Sequence, residues 1–158
     1  MLYQEEISEI AAEMLHYPQK QAVCIEAMRI VQRHRGWVSD EAIQDIAGFL
    51  EMTPDELDSV ATFYNLIFRE PVGKHVILLC NSVSCWVMGV DRICSHIEDR
   101  LKIQFGQTTP DGQYTFLQIV CLGDCDHAPA MMVDNQLYHD LTPESIAETL
   151  PEYTGEQR

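Results

Sequence analysis

The chain has 158 residues and a mass of 18.1 kDa, enough for one ordinary domain or two small ones. Its 46% hydrophobic and 22% charged residues are values of a globular protein and exclude wholesale disorder. The formal charge of −15, spread as −8 over residues 1–71 and −7 over 72–158, excludes nucleic acid and anionic lipid as main partners, because phosphate binding needs a basic footprint.

The opening MLYQEEISEIAAEM carries acids where a signal peptide has a basic region, so no export signal is expected. The first seventy residues read as helical. The spacing i, i+3, i+4, i+7 recurs in Ile7, Ile10, Ala11, Met14; in Cys24, Ala27, Met28, Val31; in Ile43, Ile46, Ala47, Leu50; and in Leu57, Val60, Ala61, Tyr64. Each set forms one apolar stripe of an amphipathic helix. Pro18 separates the first two helices, and Gly36 follows the basic run Arg33, His34, Arg35 as a C-terminal stop. Thr53-Pro54-Asp55-Glu56 has the pattern of a capping box with proline at the first helical position. Short loops between four helices predict a small antiparallel bundle over residues 1–71, with Phe63, Tyr64 and Phe68 closing it and packing against a following sheet.

After Pro71-Val72-Gly73 the pattern changes. His75 to Leu79 predicts a buried strand ending at Cys80, and one helix follows with Val90, Ile93, Cys94, Ile97 and Leu101 on its inner face. The charge-free stretch Val76 to Val90 is interrupted by Asn81, Ser82 and Ser84 and is too short to span a bilayer. Asp111-Gly112 marks a turn and Tyr114 to Val120 a strand. Ala130–Val133 and Leu137–His139 flank Asp134-Asn135-Gln136 as a hairpin. Thr142-Pro143 starts a last helix that Pro151 ends, and a polar tail follows Tyr153.

The six cysteines are expected in a reducing compartment, and a chain of this size and apolar content needs no disulfide framework. Cys24 and Cys94 fall on helix stripes and read as small core residues. The other four sit on loops. Cys80 and Cys85 form C-x4-C at the end of the first strand, and Cys121 and Cys125 form C-x3-C just after the Tyr114–Val120 strand. Both pairs therefore lie at strand C-terminal ends, the edge where α/β sheets collect ligands. Four thiolates converging from two loops suit a [2Fe–2S] cluster or a structural zinc ion.

Structural zinc loops usually have a two-residue gap in at least one pair, and the wider gaps here favour the two-iron body. Gly123, between Cys121 and Cys125, lets backbone N–H groups aim at sulfur. The absence of C-x-x-C argues against a thiol–disulfide enzyme. Trp86 reads as core or interface packing, and His127 is the one histidine beside a cysteine pair.

At these residues the chain resembles the small thioredoxin-like [2Fe–2S] subunit of bacterial NADH:quinone oxidoreductase, respiratory complex I. The likeness rests on Gly36-Trp37-Val38, Val60-Ala61-Thr62-Phe63-Tyr64, Cys80-Asn81-Ser82-Val83-Ser84-Cys85 with Gly89, Cys121-Leu122-Gly123-Asp124-Cys125, and Ala128-Pro129. Trp86-Val87-Met88 before Gly89 is a less usual insert. The resemblance implies a helical bundle over 1–71 and a thioredoxin-like [2Fe–2S] ferredoxin domain over 72–158, an α+β or α/β protein. It implies that Cys80, Cys85, Cys121 and Cys125 hold the cluster and that no residue is catalytic.

It further implies docking to a flavoprotein subunit that carries FMN and binds NADH, alongside other iron–sulfur subunits. The isolated chain would then oxidise no NADH, and it lacks both G-x-G-x-x-G and a P-loop. The implied location is cytoplasmic, peripheral on the inner face of the cell membrane. NAD-linked formate dehydrogenases and bidirectional hydrogenases use similar subunits, and a zinc-stapled interaction module is the alternative of a different class.

Overall fold

The computed structural model describes residues 1–150. The chain divides into two compact units, Met1–Pro71 and Val72–Arg158. The first unit consists of α1 (Gln4–Met14), a 3₁₀ turn (Lys20–Val23), α2 (Cys24–Arg35), α3 (Asp40–Leu50) and α4 (Pro54–Phe63). Its core is the expected set of stripes, with Ile10, Met28, Ile46, Leu50 and Leu57 fully buried.

The helix ends follow from their sequences. Gly36 adopts a left-handed conformation and donates its N–H to the Gln32 carbonyl (2.7 Å), closing α2. Ser39 accepts the Ala42 N–H (3.2 Å) at the start of α3. At α4 the box is reciprocal: Thr53 N–H donates to Glu56 Oε2 (2.9 Å) and Glu56 N–H to Thr53 Oγ1 (3.3 Å).

One buried charge pair ties α1 to the end of α2. Glu6 is fully buried, accepts from Arg35 Nε (2.7 Å) and Nη2 (2.6 Å), and also takes the Tyr3 N–H (2.7 Å). The Arg35 guanidinium also lies 4.5 Å from the centroid of the Tyr3 ring.

Two stripe positions depart from expectation, because Ala11 and Tyr64 are exposed. Phe63 is exposed as well, so neither it nor Tyr64 packs away as the sequence suggested. The reason is angular. Two residues beyond Ala61 is about 200° around a helix, which turns Phe63 outward, and Tyr64 is already the non-helical cap.

The second unit is a five-stranded mixed sheet in the order β2-β3-β1-β4-β5, formed by β1 (His75–Cys80), β2 (Gln107–Thr108), β3 (Tyr114–Ile119), β4 (Met131–Val133) and β5 (Gln136–Tyr138). β1 and β3 run parallel, in register from His75 opposite Tyr114 to Cys80 opposite Ile119. β4 is antiparallel to β1, pairing Ile77 with Val133 and Leu79 with Met131. The helices are α5 (Val83–Val87), α6 (Val90–Leu101) and α7 (Pro143–Thr149).

The central strand is apolar from Val76 to Cys80 because both its faces are covered there, and Ile77, Leu79, Phe116, Met131, Ile97 and Leu101 form the core. Arg100 fastens α7 to α6 by donating to the carbonyls of Leu150 (2.6 Å) and Ala147 (2.9 Å).

Three sequence expectations are refined here. The single helix after Cys80 is two, α5 and α6, with the chain turning at Met88-Gly89. The two-residue edge strand β2 was not foreseen. In the hairpin the turn is Asp134-Asn135, while Gln136 belongs to β5. Thr142 caps α7 by accepting the Ser145 N–H (3.2 Å). Pro151 and the polar tail after Tyr153 lie outside the described residues. Among the described residues, no helix is long and apolar enough to cross a membrane.

Candidate metal centre

The parallel register of β1 and β3 sends two loops out from the same edge of the sheet. Cys80 is the last residue of β1, with its N–H on the Ala130 carbonyl (3.1 Å). Next to it, the Asn81 N–H donates to the Ile119 carbonyl (2.8 Å) and its side-chain amide to Gln118 Oε1 (3.2 Å). These contacts hold the start of the first loop against the end of β3. The loop then enters α5, which carries Cys85. From the second strand the chain passes Val120 to Cys121, and a 3₁₀ turn (Cys125–His127) carries Cys125.

All four cysteines are free thiols, with Cys80 and Cys85 buried and Cys121 and Cys125 exposed. Cys121 Sγ and Cys125 Sγ are 3.9 Å apart, and Cys80 Sγ lies 3.8 Å from the Val120 carbonyl oxygen. The Cys80 thiol influences the ionisation of both Cys85 and Cys121, which links the group across the two loops.

The thiols influence one another. Burial, followed by the bond to the Cys80 thiol, pushes Cys85 up to about 11. Cys121 is drawn below the ordinary thiol value, first by the Gly123 N–H that donates to its sulfur (3.3 Å) and then by the Cys125 thiol. At Cys125 the Ser84 hydroxyl pulls downward, but the hydrogen bond and charge of Cys121 outweigh it, and the thiol is raised. Four sulfurs in this arrangement ionise together only if a cation balances them. The donor set thus fits an iron–sulfur cluster or another thiophilic metal, and no other class of cofactor.

Gly123 has φ +80°, a conformation that L side chains adopt at a cost, and this bend turns its N–H onto Cys121. The serines escaped the sequence reading. Ser82 acts on Cys121 and Ser84 on Cys125, and their only signal is a hydroxyl at two positions inside C-x4-C.

Cys24 and Cys94 are half-buried on α2 and α6, outside the group, and burial, then Glu98 and Asp91, pushes Cys94 up to about 11. Asp124 is half-buried and Asp126 exposed. Trp86 is not core: it is 63% exposed, and its α5 neighbours Val83 and Val87, the following Met88, and Val120 on the second loop are exposed as well.

The model of the thioredoxin-like [2Fe–2S] ferredoxin family matches residues 10–154. The chain is 46% identical over 152 residues to the NADH-quinone oxidoreductase subunit designated E of Buchnera aphidicola subsp. Acyrthosiphon pisum, covering 96% of this chain and 94% of that protein. It is 49% identical over 144 residues to the protein of the same name in Escherichia coli K12, covering 91% and 87%. The Pseudomonas aeruginosa protein of that name is 44% identical over 153 residues, covering 97% and 92%. Among solved structures, an NAD+-reducing [NiFe]-hydrogenase in the air-oxidized state superposes with a TM-score of 0.66 at 23% identity, over 80% of this chain and 22% of that one. At that identity the likeness speaks to the fold.

Proposed function

The chain belongs to the thioredoxin-like [2Fe–2S] ferredoxin family, and we propose that Cys80, Cys85, Cys121 and Cys125 hold its [2Fe–2S] cluster, making it the small electron-transfer subunit of an NADH:quinone oxidoreductase. The observation that carries this reading is the meeting of four free cysteines from two loops at one sheet edge. When bound, the cluster takes up and gives back one electron. The residues of the chain have four tasks here: to supply sulfur, to donate the Gly123 N–H to Cys121, to favour the thiolates of Cys121 and Cys125 through the Ser82 and Ser84 hydroxyls, and to shield Cys80 and Cys85 from water.

A subunit of such an oxidoreductase has partner subunits. The nearest one in this reading carries FMN and binds NADH, because an electron donor must come close to the sulfurs. The exposed side chains of Val83, Trp86, Val87, Met88 and Val120 border those loops and supply an apolar face with an aromatic anchor. The remaining surface is acidic, so the reading calls for a basic rim on the partner. The same reading assigns the chain to the peripheral part of the complex, on the inner face of the membrane, as the family resemblance implies.

The NAD-linked hydrogenases share the fold, but the relatives matched over nearly the whole chain bear the oxidoreductase name. A zinc-stapled module would be colourless. The test is iron and sulfide content, visible absorption, and electron paramagnetic resonance of the reduced protein, in the parent and in six Cys→Ser variants. Cys80→Ser, Cys85→Ser, Cys121→Ser and Cys125→Ser should each damage the signal, while Cys24→Ser and Cys94→Ser keep it. Loss in Cys94→Ser with retention in Cys80→Ser would overturn the ligand assignment.

A further inference from the structure

Beyond the four cysteines, the second unit brings together two imidazoles and a carboxylate from separate segments. His127 closes the 3₁₀ turn, while His139 and Asp140 follow β5. The backbone pins these segments to each other: the Asp140 N–H donates to the His127 carbonyl (2.8 Å) and the Leu141 N–H to the Pro129 carbonyl (3.1 Å). Both rings aim Nδ1 at one atom, Asp140 Oδ2, at 3.2 Å from His127 and 2.8 Å from His139. The ring centroids are 4.9 Å apart, tilted by 51°.

We propose that His127, His139 and Asp140 form a site for a divalent cation of borderline softness, Zn²⁺ or Ni²⁺, distinct from the cysteine centre. Geometry carries the argument. A tetrahedral zinc ion bonded at 2.0–2.1 Å holds its ligand atoms about 3.3 Å from one another. The three donor atoms here already lie within 4.8 Å of one another, with two of the separations near that value. Small side-chain rotations therefore suffice, while the segments behind them stay fixed by their backbone bonds.

Donor chemistry selects the cation. Two imidazoles and one carboxylate match the nitrogen and oxygen set of zinc and nickel, whereas magnesium and calcium take oxygen ligands almost throughout. All three side chains face solvent, so water completes the coordination. The chain's charge of −15 favours a dication at its surface. Without a cation, Asp140 is an acceptor shared by two imidazole donors, which gives the test its contrast.

The experiment is isothermal titration of the cluster-loaded protein with Zn²⁺, following visible absorption to show that the cluster stays intact. One equivalent should bind with the spectrum unchanged. His127→Gln and His139→Gln should each weaken binding by roughly tenfold or more, the least expected for losing a direct ligand, and His16→Gln should leave it as it was. A measurement on the unaltered protein stands beside these variants: long-range ¹H–¹⁵N spectra of the imidazoles should shift His127 and His139 alone. Absence of binding, binding of equal strength in the His127→Gln/His139→Gln double variant, or binding that bleaches the cluster would each overturn the proposal.

Discussion

Replacing Gly123 by alanine isolates the cost of one backbone conformation at the metal centre. Gly123 has φ +80°, and a Cβ added there meets nothing within 4 Å, so the substitution brings strain without a clash. The left-handed region costs an L residue about 1–2 kcal/mol, a factor of roughly 5–30 in an equilibrium. In the unloaded chain this exposed loop can relax, because no bound cluster fixes its sulfurs. Once the sulfurs are fixed, the bend that points the Gly123 N–H at Cys121 must be kept.

The penalty should therefore appear as weaker cluster retention. The assay mixes equal amounts of the parent and variant apo chains with a limiting supply of cluster, under thiol-mediated exchange, and reads the partition. Gly123→Ala should lose by roughly 5–30 to 1. Gly123→Asn should lose by less, since asparagine tolerates the left-handed region and the space around Cβ is open. An even partition for alanine, or asparagine faring as badly as alanine, would refute the strain argument.

Four further outcomes are expected. Arg35→Met strands the buried Glu6 carboxylate and should cost about 3–5 kcal/mol in urea unfolding. Burial raises Glu6, but the Arg35 and Tyr3 N–H bonds prevail and hold it below its ordinary range, so its contribution is present above about pH 4.3 and fades as pH falls through the lower folded value. Glu6→Gln should accordingly flatten the acid limb of a stability–pH curve, and an unchanged limb would count against the pair. Trp86→Ser, at a side chain 63% exposed, should shift stability by no more than about 0.5 kcal/mol yet weaken co-purification with the flavin-bearing subunit. Asp124→Asn with Asp126→Asn should raise the cluster potential at low ionic strength, with the shift shrinking as salt is added; a redox titration showing no shift would remove these carboxylates from the account.

The helical half was legible because each helix carries its own period and its own punctuation. Thr53-Pro54-Asp55-Glu56 and Gly36 act within a few residues, so the sequence displays them directly. The cysteine spacing was legible for a different reason: β1 has a clear apolar run, the Tyr114–Ile119 strand is rich in β-formers, and parallel pairing puts their ends together. What escaped was set by tertiary context. Gln107–Thr108 is too short to carry a period, and it becomes a strand only because β3 offers it an edge. The division between α5 and α6 left no apolar signal, since Val87 and Met88 are hydrophobic yet exposed. Phe63 misled because aromatic character alone does not separate core from surface, and for the same reason the sequence left Trp86 open between core and interface packing. His127 and His139, twelve positions apart, meet only because the hairpin folds one segment back beside the other.

The uneven burial of the cysteines also bears on how the polypeptide must be handled. Cys80 and Cys85 are 3% and 2% exposed, whereas Cys121 and Cys125 face solvent. An alkylating reagent or peroxide arriving from bulk water meets only the second pair, and two sulfurs 3.9 Å apart are near enough to be captured together by a bifunctional reagent. Among the four loop cysteines, damage to purified apo chain should thus map to a single tryptic stretch around Gly123. Anaerobic preparation protects that stretch first, and mass spectrometry of it serves as a quality stamp before any attempt at reconstitution.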